Sequence, residues 1–237
     1  MLIDLETIDP IRILRMNNQG ENRFTRPFLQ DFNQALDQIQ ADPGARALVI
    51  TGAEEKYFST GLDLKWLMSR PKEEWVEFLT DIDRLIHRLF LFPKPAVAGI
   101  NGHAFAGGLF LALAADWRVM RQDRGFCCVP EIDLGIGLPP GTIALIAYVA
   151  GKRNAEYLAL TGKRLTAQEA LKIGAIDEAA KAEEVLPRAV AVAKKLAEKN
   201  PAAYARHKLG LREKAARVME EEDPGFIKTF LGMKSGS

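Results

Sequence analysis

The residue types most suited to chemistry lie between Pro93 and Gly141. The run Asn101-Gly102-His103-Ala104-Phe105-Ala106-Gly107-Gly108 is rich in small residues and leads straight into the helical pattern Leu109–Ala115. Ahead of it, Pro-Ala-Val-Ala-Gly-Ile at 95–100 reads as a short buried strand. A strand, a glycine-rich turn and a helix leave the first backbone N–H groups of that helix without intrahelical partners. Those groups sit at the positive end of the helix dipole and suit developing negative charge. Further on, the lone carboxylate Glu131 follows a proline and precedes a second glycine-rich segment, Gly135-Ile136-Gly137-Leu138-Pro139-Pro140-Gly141. An anion cradle with an acid near it fits reactions that pass through an enolate.

The elements that must hold these residues follow an α/β rhythm. Ile3–Leu5 and Ile11–Met16 read as two strands of a hairpin or meander. Arg26–Ile39 places Phe28, Leu29, Phe32, Leu36 and Ile39 at helical spacing, and Asp42-Pro43-Gly44 ends that helix. Ala47–Gly52 is a buried strand, so strand, helix and strand point to layered α/β architecture. Phe58-Ser59-Thr60-Gly61-Leu62-Asp63 is a strand end and turn before a helix around Leu64–Met68. Pro71–Phe92 is a helix with Trp75, Phe78, Leu79, Ile82, Leu85, Ile86 and Leu89 on one stripe. Beyond Gly141, helices are expected at Thr142–Val149 and Asn154–Leu160. Thr166 with Glu169 forms a capping box for the next. Helices at Glu183–Lys199 and Pro201–Glu221 follow. Asp223-Pro224-Gly225 then breaks the chain before a short helix, Phe226–Leu231.

Four blocks in this order resemble the crotonase (enoyl-CoA hydratase/isomerase) superfamily: Lys56–Leu64, Asn101–Gly108, Pro130-Glu131 with its glycines, and Leu160–Asp177. The resemblance extends from Ile11 to Phe230. It implies an α/β fold, a crotonase-type spiral of β-β-α units, with a C-terminal helical region that makes a trimer or a dimer of trimers. On that pattern, residues 1–182 form the core with an acyl-CoA site, and 183–237 supply subunit contacts and cover the site.

Carried over residue by residue, the family's oxyanion hole falls on the backbone N–H groups of Leu62 and Gly107. Each donor of that kind is worth about 3–4 kcal/mol in the transition state. Ser59 and Thr60 belong to the same substrate-binding turn. Lys56 either approaches the coenzyme's phosphates or is a solvated surface lysine. Trp66, Trp75 and Phe78 either touch the acyl tail or are core and subunit-contact aromatics. Lys228 lies where a neighbouring subunit's lysine approaches the coenzyme in the family.

Hydratases of this family use two glutamates, one to activate water and one to manage the proton on carbon. Here the first position is Phe110, which does neither, and the second is Glu131. That combination resembles the Δ3,Δ2-enoyl-CoA isomerases. It implies that Glu131 removes a C2 proton and returns it at C4 while Leu62 and Gly107 hold the dienolate oxygen. The alternatives are another crotonase-type hydratase, hydrolase or decarboxylase, or a non-catalytic acyl-CoA-binding protein. Asp133 shares a face with Glu131 if the segment is extended. It is then either a second acid or a structural group bonded to the loop backbone, Arg118 or Arg124.

Composition sets the remaining bounds. With 237 residues the chain suits one large α/β domain or such a domain with a helical appendage. A formal net charge of +1 gives no reason to expect a nucleic acid or an anionic membrane as partner. Apolar runs stop well short of the roughly 20 residues of a membrane helix. The two cysteines, Cys127 and Cys128, are adjacent and suit buried filling in a reducing, cytoplasmic setting. A peroxisome or mitochondrion is the alternative in a eukaryote. His87 and His103 read as structural, His207 carries no signal, and no metal site is expected. No cofactor is expected beyond the coenzyme A of the substrate. The terminal 234–237 read as a flexible tail without a peroxisomal Ser-Lys-Leu signal.

Overall fold

Continuously apolar runs of strand length, separated by helices with one apolar stripe, build a layered α/β fold in a computed structural model, which describes residues 1–232. The expectation for 234–237 lies outside the described residues. In chain order come β1 (Ile3–Ile8), β2 (Ile11–Met16), α1 (Arg26–Ala41), β3 (Ala47–Gly52), β4 (Tyr57–Ser59), α2 (Leu64–Met68) and α3 (Glu73–Phe90). Then follow β5 (Ala96–Ile100), β6 (His103–Phe105), α4 (Gly107–Ala114), β7 (Trp117–Arg121), β8 (Phe126–Cys128) and a 3-10 turn, Pro130–Leu134. The chain continues through α5 (Pro140–Ala150), α6 (Lys152–Thr161), β9 (Leu165–Thr166), α7 (Ala167–Lys172) and β10 (Glu178–Ala180). A second 3-10 turn, Ala182–Glu184, leads to α8 (Val185–Ala197), α9 (Pro201–Glu221) and α10 (Asp223–Phe230).

The strands sort into a six-stranded sheet, ordered β1-β2-β3-β5-β7-β10, and a four-stranded sheet, ordered β4-β6-β8-β9. Successive pairs β3/β4, β5/β6 and β7/β8 each put their first strand in the larger sheet and their second in the smaller. That is the β-β-α spiral. In the larger sheet pairing is parallel from β2 through β3, β5 and β7 to β10, with β1 antiparallel at the edge. In the smaller sheet β9 runs antiparallel to β8. Parallel strands are covered on both faces, and β3 and β5 are buried at every residue. One face carries Leu14, Leu48, Ile50, Ala98 and Ile100 into the main core with α1, α3 and α4. The opposite face sets Ile13, Val49, Val97 and Val119 against Ala189 and Ala193 of α8. So α8, which follows the 182/183 boundary in sequence, packs on the large sheet.

Most expected elements are present, with one informative difference. Asp223-Pro224-Gly225 does not break the chain but forms the first turn of α10. Proline lacks only an N–H that the first helical turn leaves unpaired, so it starts helices as readily as it stops them. The same holds for α5, which begins at Pro140 ahead of the expected Thr142. The Thr166–Glu169 capping box is formed from both sides.

Candidate active site

The Ser59–Leu62 turn and the start of α4 are forced against each other by missing side chains. A Cβ on Gly61, whose φ is +75°, would come within 2.6 Å of the Gly107 nitrogen. A Cβ on Gly108 would lie 2.1 Å from the Ser59 carbonyl oxygen. Only glycine permits this approach. Phe24 tethers the turn from outside: its N–H donates to the Gly61 carbonyl at 2.7 Å, and its carbonyl accepts from Asp63 N at 3.1 Å. Asp63 in turn caps α2 by accepting from Trp66 N at 2.9 Å.

The two N–H groups expected to act together, those of Leu62 and Gly107, belong to residues lining one cavity. Among the described residues neither group has a backbone acceptor. Gly107 is the first residue of α4, so its N–H has no partner within the helix.

Glu131 lines the same cavity. It sits on the 3-10 turn after β8, where its carbonyl accepts from Ile136 N at 2.9 Å, and Gly135 reverses the chain with φ +68°. Glu131 is 9% exposed, and its buried Oε2 has no partner among the described residues. Burial pushes its pKa up to about 7. A carboxylate without a cation, held near neutrality by an apolar wall, is a base matched to carbon acids at physiological pH.

The cavity measures about 140 Å³ and is mainly apolar. Phe110, 6% exposed, forms part of its wall, as do Phe24, Leu79, Ile82 and Ile86. Three further walls come from residues that sequence reasoning missed. Thr142 stands at the start of α5, Asp83 projects from α3, and Phe226, Ile227 and Phe230 of α10 close the cavity from the C-terminal side. The α3 residues carried a readable signal, an acid set inside an apolar stripe. The α10 residues fall in the 183–237 region expected to cover the site, but no local signal singles out Phe226, Ile227 and Phe230 within it.

Other expected site residues lie elsewhere. Ser59 is a correction: it is fully buried, its hydroxyl donates to the Asn22 carbonyl at 2.8 Å and accepts from Gly61 N at 3.1 Å, so its side chain shapes the turn and cannot meet a ligand. Thr60 hydrogen-bonds Glu21 through its hydroxyl at 3.3 Å and lies outside the cavity lining. Trp66 packs its ring 4.6 Å from Phe78 and lines a separate surface hollow with Asp63 and Arg23. Phe78 is fully buried in the main core, and Trp75 packs against that core. Lys56 is exposed, with its ammonium 5.0 Å from the Tyr57 ring. Lys228 is exposed and lines an outer cleft with Thr80, Asp83 and His87.

Asp133 does not share a face with Glu131, because the segment is a 3-10 turn and not extended. It is exposed and packs beside Gly162, while Arg118 pairs instead with Asp177 at 2.7 Å. His103 is held in an aromatic stack between Phe105 and Phe126 and accepts from Phe126 N at 3.2 Å. Cys127 and Cys128 are buried, with their thiols pushed up to about 12 and about 11 by desolvation. Among the described residues no group of His, Cys, Asp and Glu could hold a metal ion, and no helix is long and apolar enough to cross a membrane.

Two strand-turn junctions and a shielded acid that line one cavity, on a spiral of β-β-α units, are the features of the crotonase class of fold. Comparison with known proteins agrees. The family model for enoyl-CoA hydratase/isomerase matches residues 7–225, and the chain belongs to that family. It is 32% identical over 203 residues to the peroxisomal enoyl-CoA delta isomerase 2 of Arabidopsis thaliana, covering 82% of this chain and 85% of that one. It is 35% identical over 195 residues to a probable enoyl-CoA hydratase of Bacillus subtilis (strain 168), covering 81% and 74% respectively. Among solved structures, a probable enoyl-CoA hydratase from Mycobacterium tuberculosis H37Rv superposes with a TM-score of 0.91 at 29% identity, over 97% of this chain and 96% of that one. Human mitochondrial delta3-delta2-enoyl-CoA isomerase shares the fold, with a TM-score of 0.92 at 24% identity over 98% of this chain and 91% of that one.

Proposed function

We propose that this enzyme is a Δ3,Δ2-enoyl-CoA isomerase that uses Glu131 as its single base. The observation that carries the reading is the pairing of Glu131 with Phe110 in one apolar cavity: the proton-handling acid is there, and the water-activating position is a hydrocarbon wall. A 3-enoyl thioester has acidic protons at C2, because the carbanion delocalises over the thioester carbonyl and the C3–C4 alkene. With the thioester oxygen between the N–H groups of Leu62 and Gly107, Glu131 takes the C2 proton and negative charge moves to that oxygen. The Glu131 carboxylic acid then returns the proton to C4, and the electrons reform the C=O and a C2–C3 double bond. The apolar wall keeps water from protonating or adding to the dienolate.

The coenzyme would extend from the cavity mouth, with Lys56 and Lys228 as candidates for its phosphates. Lys228 would act from a neighbouring subunit of a homotrimer or dimer of trimers. Apolar side chains left exposed on the monomer, Leu209 and Leu211 of α9 and Leu160 of α6, support a subunit interface. Hydration is the second reading, favoured by the hydratase name of the Bacillus relative.

One assay separates the two. Conversion of 3-hexenoyl-CoA to 2-hexenoyl-CoA is followed by the absorbance of the conjugated product, with hydration of 2-hexenoyl-CoA measured in parallel. Isomerisation that collapses in Glu131→Gln, with negligible hydration, is the expected result. Hydration faster than isomerisation overturns the proposal.

A further inference from the structure

The turn that joins β6 to α4 holds one residue against its own conformational preference. Ala106 has φ +51° and ψ −129°, the angles that glycine normally supplies at the first central position of a type II′ turn. A residue with a side chain is strained there. Hydrogen bonds keep it in place on both sides. Its N–H donates to the Cys128 carbonyl at 3.1 Å, and its carbonyl accepts from Leu109 N at 2.9 Å and Phe110 N at 3.1 Å. These bonds also fix the peptide unit that carries the Gly107 N–H.

The glycines of the same junction are there because a Cβ would strike protein. On Gly61 it would lie 2.6 Å from the Gly107 nitrogen, on Gly107 2.9 Å from the Phe24 ring, and on Gly108 2.1 Å from the Ser59 carbonyl oxygen. Glycine at position 106 would take the observed angles without strain. Alanine therefore adds nothing to this backbone except a methyl group. With its N–H and carbonyl both bound, that methyl is what half-buried Ala106 has left to present to the cavity it lines.

Covalent geometry places the methyl. Only the Ala106 Cα and carbonyl carbon separate it from the Gly107 nitrogen, so it stands beside any oxygen that this N–H holds. On its other side Ala106 is bonded to Cys128, at the end of the strand that leads into Pro130-Glu131. Consider an acyl group whose thioester oxygen meets Gly107 and whose C2 proton meets Glu131. Its C2, bonded to the thioester carbon, lies between those two groups, and the Ala106 methyl borders that space.

We infer that Ala106 determines specificity at C2: its methyl group fills the space beside that carbon, so the cavity takes acyl thioesters unbranched at C2 and refuses those with a methyl group there. The inference rests on the acyl-CoA reading of the cavity, with Gly107 as a donor to the thioester oxygen, but not on isomerisation.

Binding of isomeric thioesters tests it. Dissociation constants of pentanoyl-CoA, 2-methylbutanoyl-CoA and 3-methylbutanoyl-CoA are measured by calorimetry for the wild type and Ala106→Gly. Glycine suits the observed angles, so the variant keeps the fold. The wild type is expected to bind pentanoyl-CoA roughly tenfold more tightly than the 2-methyl isomer, as for one methyl group too many in a packed site. Ala106→Gly should bring that ratio to within about threefold and leave the ratio of pentanoyl-CoA to 3-methylbutanoyl-CoA unchanged. Equal wild-type binding of the linear and 2-methyl isomers overturns the proposal, as does an unchanged ratio in the variant. An equal change in both ratios overturns it too, because the turn would then have loosened without selecting at C2. Failure of both proteins to bind any of the thioesters overturns the acyl-CoA reading as well. Discrimination as expected, without turnover of 3-hexenoyl-CoA, supports the role of Ala106 and sinks only the isomerase assignment.

Discussion

Two buried carboxylates in this fold have opposite surroundings. Asp116, at the start of β7, is surrounded by donors. Its Oδ2 accepts from Lys208 Nζ at 2.9 Å and Ala96 N at 2.7 Å, and its Oδ1 faces Arg212 at 2.9 Å. Arg212 also donates to the carbonyls of Phe90, Ala114 and Ala115 and lies over the Phe90 ring at 4.5 Å. That cluster ties α9 to the ends of α3, α4 and β5. Burial still holds Lys208 down to about 8, so the network is kept by complete pairing and not by cheap burial. Glu131 has burial without a cation, and its pKa rises to about 7 instead. A carboxylate surrounded by donors anchors the fold; one left without them is free to move a proton. What separates structure from chemistry here is the partners, not the residue type.

The comparison can be broken or sharpened by substitution. The largest effect is expected for Glu131→Gln, which, on the proposed isomerase reaction, should lower kcat by roughly 10³-fold or more, within the range of a lost general base. Steady-state rates that fall less than tenfold would mean that another group carries the proton. Asp116→Ala should do the reverse. Stranding Lys208 and Arg212 in the interior should cost about 3–5 kcal/mol in urea unfolding. A loss below 1 kcal/mol would show that water or α9 movement satisfies both cations.

Gly61→Ala attacks the geometry between the two regions. Its methyl group would meet the Gly107 nitrogen at 2.6 Å and sit at positive φ. A roughly 10²-fold drop in kcat/KM is expected as the paired N–H groups move apart, along with about 1–3 kcal/mol of stability. Retention of full activity would remove these two N–H groups from the mechanism.

The smallest effect is a pH dependence of stability. The Glu131 pKa is raised on folding from 4.5 to about 7, so the folded state holds its proton while the unfolded state has lost it. Its contribution is fully present below about 4.5 and is lost as pH rises through about 7. Glu131→Gln should therefore be more stable than the wild type at pH 8 by about 2–3 kcal/mol, and nearly equal to it at pH 4. Chemical denaturation at the two pH values checks this. A variant destabilised equally at both would mean that the carboxyl is a structural ligand after all.

Sequence reading recovered the backbone features because they are local. Gly61, Gly107 and Gly108 announce a close approach of two turns, and Pro130-Glu131 announces an acid at the end of a strand. The reading went astray where partners are distant. Ser59 looked like a ligand contact because it lies in the right turn, yet the Asn22 carbonyl that claims its hydroxyl is 37 positions away. The Asp116–Lys208 pair spans 92 positions and leaves no periodic trace. Asp83 was visible as an odd residue in an apolar stripe, but its meaning depended on which wall that stripe would form.

By itself, then, the sequence determined the family, the spiral of strand pairs, the two N–H-bearing turns and the choice of Phe110 over a second glutamate. The family, the spiral and the roles of these positions come through the four blocks that resemble the crotonase superfamily, while the glycine turns themselves follow from steric limits on φ and ψ and short-range spacing. Only the tertiary structure decided which acids lie buried without cations, which residues of α10 line the cavity, and that Asp83 reaches it. Burial and long-range pairing are properties of the packed chain, and they set the dielectric and the partners from which a carboxyl group takes its role.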